Sequence, residues 1–112
     1  MNVSFQGIGQ VCATFLCDDV KAGQVVKVTD KGTVGPCADN DPFCGVVMTA
    51  KGGGCSVQVE GFATVSFSGA APAAGFAKLA ANGSGGVKTA ADGQSYLVVD
   101  ADTAGKTVTI KL

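Results

Sequence analysis

The sequence predicts an all-β fold, a compact β-barrel or sandwich with an internal two-fold pseudo-repeat. Three observations carry this. Sixteen valines stand against four leucines in 112 residues, and β-branched side chains suit a pleated surface better than a helix. Seventeen glycines punctuate short apolar runs, at the spacing of strands and turns. Residues 22–60 also resemble residues 74–112: Ala22-Gly23 falls on Ala74-Gly75, Ala38 on Ala90, Val46-Val47 on Val98-Val99, and Gly53 on Gly105. After a one-residue slip, Val57 and Val59 fall on Val108 and Ile110. Matches in that order suggest one strand-rich unit used twice within a single domain spanning 1–112.

The elements follow in order. Residues 1–9 carry Val3, Phe5 and Ile8 among polar residues and glycine. They read either as a short edge strand packed on the domain or as an N-terminal arm that adds a strand to a partner's sheet edge. Residues 10–17 are apolar and β-prone and form a first strand ending at Asp18-Asp19. Residues 24–29 form a second, with Val26 and Val28 expected inward and Lys27 and Thr29 outward. Asp30-Lys31-Gly32 turns the chain into a short arm at 33–35.

After the polar stretch from Cys37 to Pro42, the run Phe43 to Thr49 is nearly all apolar, the pattern of a strand buried on both faces. Residues 55–60 alternate, with Val57 and Val59 expected inward and Ser56, Gln58 and Glu60 outward. The next run places Ala63, Val65 and Phe67 on one face and Thr64, Ser66 and Ser68 on the other. The alanine-rich segment 69–81 is broken by Pro72 and Gly75. Its alignment with the second strand makes Phe76 to Leu79 a strand, with a short helical turn at 70–74 as the competing outcome. Asn82-Gly83 signals a hairpin. Residues 87–90 form a return arm, and Tyr96 to Asp100 a buried strand. The closing strand, 106–112, turns Val108, Ile110 and Leu112 inward.

Composition narrows the chemistry. The net charge is −1, and all eight basic residues are lysines; there is no arginine and no histidine. Without arginine the bidentate fork that reads phosphates and guanines is missing, so nucleic-acid binding is not expected. Without histidine the usual general base and the commonest transition-metal ligand are missing. No uninterrupted apolar run of 18 residues occurs, so no membrane span is expected. The N-terminus lacks the charged and apolar blocks of a secretory signal, which places synthesis in the cytosol.

The five cysteines, at 12, 17, 37, 44 and 55, form no C-x-x-C pair. They read as free thiols acting as small hydrophobes, with a disulfide framework or a four-thiolate zinc site as alternatives. Carboxylate pairs exist at Asp18-Asp19, Asp39/Asp41 and Asp100/Asp102, each beside turn residues or a strand end, where aspartate serves the backbone. Asp39-Asn40-Asp41 lacks the glycine and glutamate of a calcium loop, and Lys51-Gly52-Gly53-Gly54 lacks the order of a phosphate loop. Neither Ser66 nor Ser68 nor any cysteine has a histidine partner. The expectation is a protein that is not an enzyme and needs no cofactor.

Four pieces then read together: Lys21-Ala22-Gly23-Gln24-Val25-Val26-Lys27-Val28, Gly45-Val46-Val47, Ser56-Val57-Gln58-Val59-Glu60-Gly61-Phe62 and Val108-Thr109-Ile110-Lys111-Leu112. In that order they resemble the small tailed-phage head proteins known as capsid cement or head decoration proteins, over residues 20–112. The chain departs from them in Phe76 after Gly75, where a charged residue is usual, and in its cysteines. The resemblance implies a virion protein, made in bacterial cytoplasm. It implies binding to the major capsid protein on the outside of the assembled head, commonly as a homotrimer, and stabilisation against internal pressure. Val3, Phe5 and Ile8 are the candidate partner-binding residues. The competing reading is a non-catalytic β-rich module that recognises a carbohydrate or peptide. One tyrosine and no tryptophan give it few aromatic platforms.

Overall fold

A computed structural model describes residues 9–112. Ten strands account for its regular structure, and among the described residues there is no helix. The first five are β1 (Val11–Cys17), β2 (Val25–Asp30), β3 (Thr33–Pro36), β4 (Gly45–Lys51) and β5 (Gly54–Glu60). They close into a small barrel in the order β1-β3-β2-β4-β5. The second five are β6 (Phe62–Ser66), β7 (Gly75–Ala81), β8 (Val87–Thr89), β9 (Gln94–Asp102) and β10 (Thr107–Lys111). They form a sheet in the order β6-β10-β9-β7-β8.

Both sets follow one topology. Read around the barrel from β1, the order is β1-β5-β4-β2-β3, which is the order of the second sheet with each strand advanced by five. The first set closes, and the second carries a single bridge at the equivalent place. β1 meets β3 in parallel at Leu16–Thr33 and Cys17–Val34, and Phe67, just past β6, makes a parallel bridge to Val87 of β8. The repeated unit therefore begins one strand earlier than the sequence match at 22 and 74, taking in β1 and β6. The register also needs no slip at the last strand: Val46 pairs with Gln58 and Val98 pairs with Ile110. Gln58 thus holds the place of Ile110.

Two hydrophobic clusters follow from this arrangement. Val26, Val34, Val47, Cys55 and Val57 fill the barrel, joined by Phe15, Cys17, Val20 and Val59. Val25, Phe43, Val46 and Cys37 face the other way, packing with Ala63, Val65, Phe67, Leu79, Val98, Val108 and Ile110. Strands β2 and β4 are therefore buried on both faces over their first residues. This corrects the simple alternation expected of β2: Val25 and Val26 are both buried, whereas Val28, near the strand end, is 56% exposed. In β4 the double burial covers Gly45, Val46 and Val47, but Met48 is exposed. Strand β9 is less buried than its sequence suggests, with only Val98 fully covered. The alternation in β6 and β10 is as expected, and β7 is a strand with no helical turn preceding it.

The sheets are also stitched by backbone. Val25 N–H donates to Gly85 O at 3.0 Å, Asn40 N–H to Ala81 O at 2.9 Å, and Ala81 N–H to Asp41 O at 2.9 Å. The Tyr96 ring stacks on Phe43 at 4.8 Å and its hydroxyl donates to the Phe43 carbonyl. A radius of gyration of 13.3 Å matches the roughly 13 Å of a compact chain of this length.

Gly45 lies where β4 presses against β5. A Cβ there would stand 2.4 Å from the Gln58 carbonyl oxygen and 2.7 Å from Val57 Cγ1. Relief would require moving the backbone of a central strand pair. Gly45→Ala should cost about 3 kcal/mol, measured as a fall in the urea midpoint; an unchanged midpoint would contradict this packing.

Candidate functional site

The sequence-derived partner-binding residues, Val3, Phe5 and Ile8, lie outside the described residues. Gly9 and Gln10, the first described residues, are closely packed. Gly9 and Gln10 pass so close to Gly61 that a Cβ on Gly61 would be 3.0 Å from Gly9 O and Gln10 Cα. Gly61 also has φ +95°, so glycine is required there twice over. Gln58 fixes the same junction. Its side chain is 1% exposed, accepts from Gln10 Nε2 at 2.9 Å, and donates to Glu60 O at 3.0 Å and Phe62 O at 2.9 Å. All of its polar atoms are used, so burial costs little. Sequence alternation placed Gln58 outward; the second buried face of β5 and these three partners turn it in. The signal was present in one respect, since Gln58 follows the inward Val57 at a strand that also serves the other core.

Gly9 and Gln10 therefore lie at the junction of the two units, beside Gly61 between β5 and β6. Ala63–Ser66 of β6 pairs with β10 alone among the described residues, and Val11–Phe15 of β1 pairs with β5 alone. A strand paired on one side offers backbone donors and acceptors to an incoming segment.

Apolar side chains reach solvent on both units. Phe76 is 80% exposed on β7, and Leu16 is 64% and Val11 50% exposed on β1. Phe76 stands opposite Leu97 on β9, and Leu97 opposite Lys111 on β10. This makes a half-apolar row across the outer face of the second sheet. Sequence reading missed Phe76 as a surface residue because its strand neighbours are alanine and glycine, which give no contrast between faces.

The carboxylate pairs are engaged in structure. Asp41 accepts from Lys27 Nζ and from Ala38 N–H at 2.9 Å. Asp39 pairs with Lys88 at 2.8 Å, and Asp39 bridges to Asn82 in the other unit. Asp102 accepts from Ala104 N–H and Gly105 N–H at 3.1 Å, closing the β9–β10 turn, and Asp100 accepts from Ala101 N–H at 2.9 Å. Asp19 adopts φ +55° in the bend after β1. These are the backbone roles expected of aspartate at turns.

Cys37 and Cys44 are ill suited to nucleophilic use. Burial pushes the Cys37 thiol up to about 11 and raises that of Cys44, the opposite of the depression that makes a thiolate at neutral pH. Among the described residues no group of three or more cysteines and carboxylates is placed to hold a metal ion. A shallow depression of about 310 Å³ lined by Lys78, Thr89, Ala90 and Ala91 gathers one charge and a few methyls. It lacks the convergent polar groups of a small-molecule site. No known protein family matches the chain, and no curated protein matches it in sequence.

The Lys27–Asp41 contact carries a pH signature. The Lys27 ammonium, followed by the Ala38 N–H, holds the Asp41 carboxyl below its ordinary value. A carboxyl depressed by folding contributes stability above its unfolded pKa of about 4 and loses it as pH falls through the folded value. Urea midpoints measured from pH 6 down to pH 2 should fall less steeply in Asp41→Asn than in the parent. Parallel profiles would show that the contact contributes nothing.

Proposed function

We propose that this chain is a structural phage virion protein that decorates and stabilises the assembled head by binding the outer surface of the major capsid protein. In this reading it is a homotrimer made in bacterial cytoplasm, carries no enzymatic activity, and needs no cofactor. Residues Val3, Phe5 and Ile8 form the part of the arm that enters the capsid surface, adding a strand to a sheet edge.

The observation that carries the reading is the surface. A domain whose carboxylates serve turns and ion pairs exposes Phe76, Leu16, Val28, Val11 and Met48 to solvent. Exposed large apolar side chains beside partly unpaired strands suit contact with protein neighbours. The Gln10–Gln58 hydrogen bond supports it further, because a fixed anchor beside the candidate binding residues lowers the entropy cost of docking. Weak contacts repeated over many copies sum to firm retention. The family resemblance of residues 20–112 supplies the identity of the partner. For the sugar-binding alternative, the one tyrosine is stacked on Phe43 and bonded through its hydroxyl, which leaves it a poor open platform.

Mixing the purified protein with expanded, undecorated phage heads and sedimenting them tests the reading. The protein should pellet with the heads, and Phe5→Asp should weaken retention about tenfold, the effect of losing about 1.4 kcal/mol. Protein that stays in the supernatant, or binds a glycan array in place of heads, would overturn it.

A further inference from the structure

Two of the five cysteines stand as neighbours on one surface. β1 and β5 are antiparallel with Phe15 opposite Cys55, and Cys17 N–H donates to Gly53 O at 3.0 Å. Cys17 is thus one diagonal step from Cys55. Alternation along β1 turns Phe15 and Cys17 toward the barrel interior, and both cysteines pack in the cluster that fills it. They differ in access: Cys55 is buried, whereas Cys17, the last residue of β1, is half-exposed. The other cysteines lie elsewhere. Cys12 is exposed on β1, Cys37 packs in the second core, and Cys44 is exposed before β4.

We propose that Cys17 and Cys55 form a dithiol site that closes to an intramolecular disulfide by exchange with a small-molecule disulfide such as oxidised glutathione. This inference goes beyond the virion reading and does not depend on it. The accessible Cys17 thiolate attacks one sulfur of the small disulfide, and the other sulfur leaves as a thiolate and takes a proton. The product is a mixed disulfide at Cys17. Cys55 then gives its proton to solvent, and its thiolate attacks the Cys17 sulfur and expels the second small thiol. Two protein thiols are oxidised, one small disulfide is reduced to two thiols, and no other oxidant enters.

Geometry sets how easily the second step runs. Diagonal neighbours on an antiparallel face stand about 7–8 Å apart, a little beyond the roughly 4.4–6.8 Å Cα span of a disulfide. Closure therefore draws the end of β1 toward the Gly52-Gly53 turn by about 1 Å. Both elements can give: β1 ends at Cys17, and two successive positive-φ glycines form the turn. The bond would tie β1 to β5 at the end where β3 holds β1 through only two register pairs. Burial, and next the neighbouring Cys17 thiol, push the Cys55 thiol up to about 11. Well below that value its thiolate fraction grows about tenfold per pH unit, and so should the rate of closure from the mixed disulfide.

Peptide mapping decides the question in the native, full-length protein. Cleavage after lysine puts Cys12 and Cys17 together in the peptide ending at Lys21, where fragment-ion sequencing tells them apart, Cys55 in one spanning 52–78, and Cys37 with Cys44 in one spanning 32–51. Incubation with oxidised glutathione, quenching and digestion should link the first peptide to the second. A glutathione adduct at Cys17 should precede the link and convert to it faster as pH rises from 7 to 9. The link should persist in Cys12→Ser and vanish in Cys17→Ser. Adducts confined to Cys12 and Cys44, with Cys55 still reduced at pH 9, would overturn the proposal in the parent protein, whatever the variants do. So would a link that survives in Cys17→Ser.

Discussion

The structure depends on two strands whose first residues are covered on both faces. β2 and β4 each carry a valine pair, Val25-Val26 and Val46-Val47, and in each pair one side chain fills the barrel while the other packs against the second sheet. Full burial of a valine stabilises by roughly 1.5–3 kcal/mol relative to exposure, so these four residues link the two cores energetically as well as in space. The constraint spreads outward from them. Gly45 must be glycine because β4 lies so close to β5. Gln58 must be satisfied internally because the strand beside Val46 is covered on both sides.

Using one strand order twice explains how a chain so poor in large side chains makes a compact body. The first five-stranded unit encloses a cluster built mainly from valine. Laying the second unit's inner face on the outer face of β2 and β4 creates a second cluster without adding a layer. The loop from Cys37 to Phe43 then serves as a clasp, with Asp39 bridging to Asn82, Asn40 and Asp41 bonding to Ala81, and Phe43 stacked on Tyr96. The acidic residues that look like candidate chemistry in the sequence are the parts of this clasp and of the turns.

Much of this was legible in the sequence, and the exceptions share a cause. The all-β class follows from valine and glycine usage, and the repeat is visible as matched turn glycines and paired valines. The inward residues of β6 and β10 follow from alternation, because those strands have one buried face. Alternation failed at Val28 and Gln58, where the strand is buried on two faces or runs past the edge of the core. It failed again at β9, whose apolar run is only half-covered. The strands β1 and β6 were outside the matched segments because the stretches 11–17 and 63–69 share only Phe15 with Phe67 at matching positions, although their place in the topology is the same. For the candidate site, Val3, Phe5 and Ile8 lie outside the described residues, and the Gln58–Gln10 clamp and the Cys17–Cys55 juxtaposition arise from pairing between distant strands that no local pattern records.

Equilibrium unfolding followed by two probes tests the linkage of the cores most directly. Tyr96 sits at the seam against Phe43 and is the single tyrosine of the chain, so its fluorescence reports the interface while far-ultraviolet circular dichroism reports the strands. Coincident urea transitions, shifted together by Val46→Ala, are the result this structure requires. Loss of the tyrosine signal at a lower urea concentration than loss of the strands would contradict it, leaving two units that merely touch.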